Sequence, residues 1–100
     1  MIKHVVFWNF KDEALGQTKE ENMDAVKSRL LALVDIIPEI KSMQIGKDIL
    51  GGPMSYDMAL IMEFLSMEDL DIYQNHPEHK KVSGFVSEVR TDRCSVDFEF

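Results

Sequence analysis

Alternating apolar and polar residues mark the parts of this chain that are expected to form a sheet. Apolar residues occupy every second position from Tyr56 to Phe64 and again from Cys94 to Phe100, the period of a half-buried strand. The segment Ile2–Phe10 is rich in branched and aromatic residues and predicts another strand. Another strand, the second in chain order, is predicted over Ile40–Ile49, before the turn-forming Gly51-Gly52-Pro53. One face of this strand carries its apolar residues, which are Met43, Ile45 and Ile49.

Helical spacing appears in two stretches between these strands. Thr18 and Glu21 form a Thr-x-x-Glu capping box at the start of the first helix, and Pro38 ends its pattern. The apolar positions of this helix are Met23, Val26, Leu30, Leu33 and Ile37. Ser66 and Asp69 repeat the capping signature before the second helical region. The element order is therefore βαββαβ, which predicts an α+β fold with a ferredoxin-like plan.

The predicted sheet has apolar residues on both of its faces. Besides the face shared by Ile2, Val6 and Trp8, the second face of the sheet carries Val5 and Phe7, together with Ala59 and Ile61 of the third strand. Helices on one side of the sheet would leave this second face in water. Because monomers rarely expose a large contiguous apolar patch, we expect a second copy of the chain to cover it, sheet against sheet. The sequence thus predicts a homodimer.

Length and charge narrow the function. One hundred residues suffice for one domain, which we expect to span residues 1–100. The net charge of -7 repels phosphate backbones and anionic lipids, so neither nucleic acid nor a membrane is an expected partner. The single cysteine, Cys94, cannot form an internal disulfide and is expected to pack in the core. With no signal-peptide pattern at the N-terminus, these features predict a cytoplasmic protein.

Candidate chemistry gathers at the segment Tyr73–His79, which holds two of the three histidines. The residue before a proline disfavours helix, whereas proline suits a first helical turn, so we expect His76 to end one helix and Pro77 to begin the next. His79 then lies in a first turn, where the helix dipole disfavours an imidazolium and favours a neutral base. A neutral histidine beside a tyrosine can remove a proton next to a carbonyl, while the phenol donates a hydrogen bond to the enolate.

Several motifs together make the chain resemble the stress-responsive α/β-barrel (Dabb) family. They are Ile2-Lys3-His4-Val5-Val6-Phe7, Phe10-Lys11-Asp12-Glu13, Ile37-Pro38-Glu39-Ile40, Gly46-Lys47-Asp48, the Tyr73 to His79 segment and Val96-Asp97-Phe98-Glu99-Phe100. The resemblance implies a homodimer whose sheets form an α+β barrel and no obligatory cofactor. The family includes a plant polyketide cyclase that uses a histidine and a tyrosine. The resemblance therefore implies His79 as general base and Tyr73 as orienting residue, with His4 in the same pocket.

The predicted pocket lies on the helix-facing side of the sheet. Its expected lining residues are Val6, Trp8, Val26, Leu30 and His76. The aliphatic face of the first helix and the bulk of Trp8 favour a small apolar ligand over a long polyketide chain.

Other interpretations remain open at this stage. A metal could be held by His76, Glu78, His79 and His4, although no established ligand motif is present. The histidines and Tyr73 could also be purely structural, because a lone histidine or tyrosine is most often a hydrogen-bonded packing residue. Two classes of function are therefore predicted, a cofactor-free enzyme acting on a small apolar carbonyl compound, or a non-enzymatic, stress-associated dimer that binds a small hydrophobic molecule.

Overall fold

A computed structural model describes residues 1–100 and contains one four-stranded antiparallel sheet with helices packed on one face. The helices are α1 (Lys19–Ala32), a short 3-10 helix (Leu33–Asp35), α2 (Met67–Asn75) and α3 (Pro77–Val89). The strands of the sheet are β1 (Ile2–Phe10), β4 (Ser42–Lys47), β5 (Met58–Phe64) and β6 (Arg90–Glu99), in the spatial order β4-β5-β1-β6. The predicted βαββαβ order and ferredoxin-like α+β class are confirmed. No helix is long and apolar enough to cross a membrane.

The predicted boundaries are confirmed in part. β1 has the predicted ends, and the α1 capping box forms as expected, with Glu21 N–H donating to the Thr18 hydroxyl. The second predicted strand is shorter than expected, because the chain leaves the sheet after Lys47 and Ile49 is fully exposed. An additional hairpin, β2 (Glu13–Ala14) and β3 (Gln17–Thr18), precedes α1.

The two faces of the sheet differ in what covers them. Alternate residues of β1 are buried against the helices, in a single core with α1, α2 and α3. On the open face, the strand register places Val5 beside Ile61 and Val96, and Phe7 beside Ala59 and Cys94. The prediction that Cys94 packs in the core is wrong for the subunit, since Cys94 is exposed on this open face. The apolar side of β6 therefore extends the second apolar face.

The junction between α2 and α3 forms as the proline predicts. His76 has extended backbone angles and separates the last residue of α2 from Pro77, the first residue of α3. Its Nδ1 atom accepts a hydrogen bond from the N–H of Glu78 at 3.1 Å, which caps the new helix. The break reorients the chain, so that α3 returns across the sheet and leads directly into β6.

Candidate active site

A cavity of about 240 Å³ lies on the helix-facing side of the sheet, between β1 and α3. Its walls combine apolar side chains with polar and charged ones. The lining residues are His4, Val6, Trp8, Leu30, Leu60, Tyr73, His79, Val82, Ser83, Val86, Ser87, Arg90 and Arg93. The structure thus brings His4, Tyr73 and His79 together in one pocket.

The imidazole of His79 is held by the end of the preceding helix. Its Nδ1 atom lies 3.1 Å from the carbonyl oxygen of Gln74, an acceptor, so Nδ1 carries the proton in the neutral ring. The other ring nitrogen, Nε2, is then the basic atom. Burial lowers the pKa of His79, the hydrogen bond to the carbonyl of Gln74 raises it, and electrostatic interactions with His4, Arg93 and His76 lower it further. His79 is therefore neutral near pH 7, and burial is the largest cause of its lowered pKa.

Tyr73 is the aromatic neighbour of His79 in the cavity. The two ring centroids are 4.3 Å apart, and Tyr73 also packs against Phe64 at 5.4 Å. Tyr73 is almost completely buried, and this burial raises the pKa of its phenol well above the ordinary range. The phenol therefore keeps its proton at all physiological pH values and can act as a hydrogen-bond donor.

His4 is paired with a carboxylate that the sequence did not reveal. The buried imidazole of His4 lies opposite Asp97 in the register of β1 and β6, and its Nδ1 atom is hydrogen bonded to Oδ1 of Asp97. The carboxylate accepts a hydrogen bond from Nδ1–H, so in the neutral ring Nε2 is left as an acceptor. His4 packs edge-on towards Tyr73 with a centroid separation of 6.4 Å. Its position is therefore fixed on one side by Asp97 and on the other by Tyr73.

Comparison with known proteins identifies the family. The family model for the stress responsive A/B barrel domain matches residues 2–100. The chain belongs to this family. It is 34% identical over 80 residues to olivetolic acid cyclase from Cannabis sativa, with 78% of this chain and 75% of that protein covered.

Solved structures share the fold of this chain. A dimeric protein of unknown function with a ferredoxin-like fold, from Bacteroides fragilis, has a TM-score of 0.88 and 29% identity, over 99% of this chain and 95% of that one. A dimeric ferredoxin-like protein from Thermobifida fusca has a TM-score of 0.84 and 24% identity, over 99% and 90% of the two chains. The resemblance to the Dabb family seen in the motifs is confirmed.

In this Dabb chain, two residues predicted to line the pocket do not. Val26 is completely buried in the core, one turn before Leu30 on α1, and is not among the residues that line the cavity. His76 is outside the lining because its ring is used to cap α3. The predicted residues Val6, Trp8 and Leu30 do line the cavity. The catalytic roles of His4, Tyr73 and His79 stay predictions.

Sequence reasoning missed the contribution of β6 to this pocket. Arg93 and Asp97 come from the polar positions of that strand, which face the helices, and Arg90 lies opposite Phe10, beyond a shift in the register. Arg90 and Arg93 line the cavity, whereas Asp97 contributes by pairing with His4. The alternation in β6 could have identified this contribution. If its apolar residues had been assigned to the open face, its polar residues would have been expected to face the helices. No group of three His, Cys, Asp or Glu side chains is arranged to hold a metal ion.

Proposed function

We propose that this Dabb protein is a homodimeric, cofactor-independent enzyme that removes a proton next to the carbonyl of a small, largely apolar compound. In this proposal, Nε2 of His79 takes the proton and the C–H electron pair moves towards the carbonyl oxygen. The hydroxyl of Tyr73 donates a hydrogen bond to the developing enolate. Return of the proton to another atom gives an isomer, and attack of the enolate on a second carbonyl closes a ring.

The observation that carries the proposal is the bond between Nδ1 of His79 and the carbonyl of Gln74. A general base needs an unprotonated nitrogen directed at the substrate and a pKa near or below the working pH. The bond to Gln74 selects the tautomer with a basic Nε2, and burial lowers the pKa. Tyr73, whose ring lies against His79, supplies a permanently protonated donor beside that base.

The likeness to olivetolic acid cyclase supports ring closure as the reaction type. The size of the cavity argues for a shorter substrate than a long-chain polyketide, since about 240 Å³ is below the roughly 300–1,000 Å³ of typical ligand pockets. His4 contributes an orienting acceptor in the same space, held by Asp97.

The open face of the sheet supports the dimer. Ile61, Val96 and Phe98 remain 37%, 58% and 44% exposed in the subunit, on a face that no helix covers. Pairing two such faces would bury them, and the similar structures from Bacteroides fragilis and Thermobifida fusca are described as dimeric. We place the dimer in the cytoplasm, where a reducing environment keeps Cys94 as a thiol.

Hydrogen exchange at carbon tests this function without knowledge of the natural substrate. A panel of small ketones, β-diketones and thioesters is incubated with the protein in D₂O, and loss of the proton next to the carbonyl is followed by NMR. We expect exchange with wild-type protein and none above background with His79→Ala. If native mass spectrometry finds a retained small molecule but no compound exchanges faster with the protein, the alternative function, a binding protein for a small hydrophobic ligand, is correct.

A further inference from the structure

The cavity wall is cationic, although the chain as a whole carries a net charge of -7. Arg90 and Arg93, which begin β6, both line the cavity, and no Asp or Glu does. They are two of only three arginines in the chain. The third, Arg29, lies over the ring of Phe85 at 3.8 Å from its centroid and does not line this cavity. Two of the three arginines of this acidic protein therefore line the same cavity.

Neither guanidinium is paired with a carboxylate. Nη1 of Arg90 donates to the carbonyl oxygen of Thr91 at 3.2 Å, and Nη1 of Arg93 lies 3.5 Å from the hydroxyl of Ser95. Every ion pair in the subunit uses a lysine or a histidine instead. A guanidinium offers five N–H donors in a planar fork that fits a carboxylate. Most of the donors of Arg90 and Arg93 are therefore available to a ligand.

The two arginines also lie close to the proposed chemistry. The charge of Arg93 acts on both Tyr73 and His79, lowering the pKa of each relative to what burial alone would give. Trp8, on the same wall, has a buried indole Nε1 with no protein acceptor. The wall thus presents several hydrogen-bond donors without any carboxylate of the protein to satisfy them.

We infer that the substrate of this cavity carries a carboxylate, which Arg90 and Arg93 bind while its carbonyl-bearing part lies against Tyr73 and His79. The inference rests on the proposed function for the reacting carbonyl, but the anion site itself requires no catalysis. A carboxylate held at the start of β6 fixes the orientation of a small molecule between the apolar side chains of Val82 and Val86 and the base. The substrate class is therefore a short carboxylic acid with an additional carbonyl group.

Binding of a simple carboxylate tests this directly. Trp8 is the only tryptophan and lines the cavity, so its fluorescence reports occupancy. Benzoate is titrated as the probe, and benzamide serves as the uncharged compound of the same shape. We expect benzoate to bind at least tenfold more tightly than benzamide at low salt, with the preference falling as salt is added.

Three variants assign the preference to the two side chains. Arg90→Gln and Arg93→Gln should each weaken benzoate binding about tenfold and leave benzamide binding unchanged, since only the charge-assisted hydrogen bonds are lost. Arg29→Gln removes the one arginine that lies outside the cavity, and this variant should bind benzoate as the wild type does. Thermal melting of each variant shows that the fold is retained.

Failure of this inference is separate from failure of the proposed function. Equal affinity for benzoate and benzamide, no binding of benzoate, or wild-type benzoate binding by the double variant Arg90→Gln/Arg93→Gln would each overturn the carboxylate site. If wild-type protein binds benzoate with the expected dependence on Arg90 and Arg93 but catalyses no proton exchange, the anion site stands and the proposed enzymatic function does not.

Discussion

The ring centroids of Tyr73 and His79 lie 4.3 Å apart, with the rings tilted by 48°, although the two residues belong to different helices. In one continuous helix, residues six apart would point about 120° away from each other around the axis. The extended His76 and the new start at Pro77 remove that constraint and direct both rings into one cavity. The proline break therefore does more than end a helix, because it creates the pairing on which the proposed chemistry depends.

Replacement of His79 tests the base. We expect His79→Ala to lower turnover by about two to four orders of magnitude, the usual contribution of a positioned general base, with the fold intact because His79 is only half-buried. Tyr73→Phe should cost less, since other donors can partly stabilise the enolate. Steady-state rates on a compound identified by proton exchange provide the measurement.

The matched histidine control is His76→Asn. Asparagine is a good N-cap, so its side chain can accept the hydrogen bond that Glu78 N–H donates to His76 Nδ1. His76 does not line the cavity, so the cavity is not changed. Its activity should equal that of the wild type. Full activity in His79→Ala, or equal losses in the two histidine variants, would discard His79 as the base.

The pH profile of the reaction follows from the pKa values of His79 and Tyr73. His79 must be unprotonated to act, and its pKa is lowered from 6.5, so kcat/KM should rise with pH through a midpoint below 6.5. The pKa of Tyr73 is raised from 10.0, so no decline from its ionisation is expected below pH 10. A midpoint above pH 7 would show that the essential group is not the buried imidazole of His79.

Sequence reasoning predicted the element order and the position of the helix break, but it wrongly placed Cys94 of β6 in the core. Alternation shows that Cys94, Val96 and Phe98 share a face, yet it does not say which face of the sheet that is. Both faces of β1 are apolar, so either choice was consistent with the pattern. Only the register with β1 settles it, by placing Cys94 beside Phe7 on the open face.

Sequence alternation also could not show that residues of β6 belong to the candidate site. Asp97, Arg90 and Arg93 are distant in sequence from the Tyr73 to His79 segment, and no motif links them to it. Their contribution depends on β6 being the edge strand next to β1, which brings Asp97 to His4. The local junction at His76 was predictable because proline acts on its immediate neighbours. Contacts between the ends of the chain require the sheet order.

The pair formed by His4 and Asp97 predicts a measurable stability effect. Asp97→Ala removes the acceptor of a buried imidazole N–H, which should reduce the free energy of unfolding by about 1–3 kcal/mol. Urea denaturation provides the measurement. Glu99→Gln, on the same face of β6 but without a hydrogen-bond partner, is the control and should change stability by less than about 0.5 kcal/mol. Equal effects in the two variants would mean that the pair contributes nothing specific.

The last prediction concerns the dimer, which we expect to form through the open face of the sheet. We expect Phe7→Lys to convert a dimer into a monomer or to unfold it, because burying an unpaired ammonium between two sheets costs several kcal/mol. The control is Ile72→Lys, which places the same charge at an exposed apolar position on α2 and should leave the dimer intact. Sedimentation velocity at micromolar concentration distinguishes these states. Wild-type protein that sediments as a monomer, or an intact dimer in Phe7→Lys, would show that the face carrying Phe7 is not the interface.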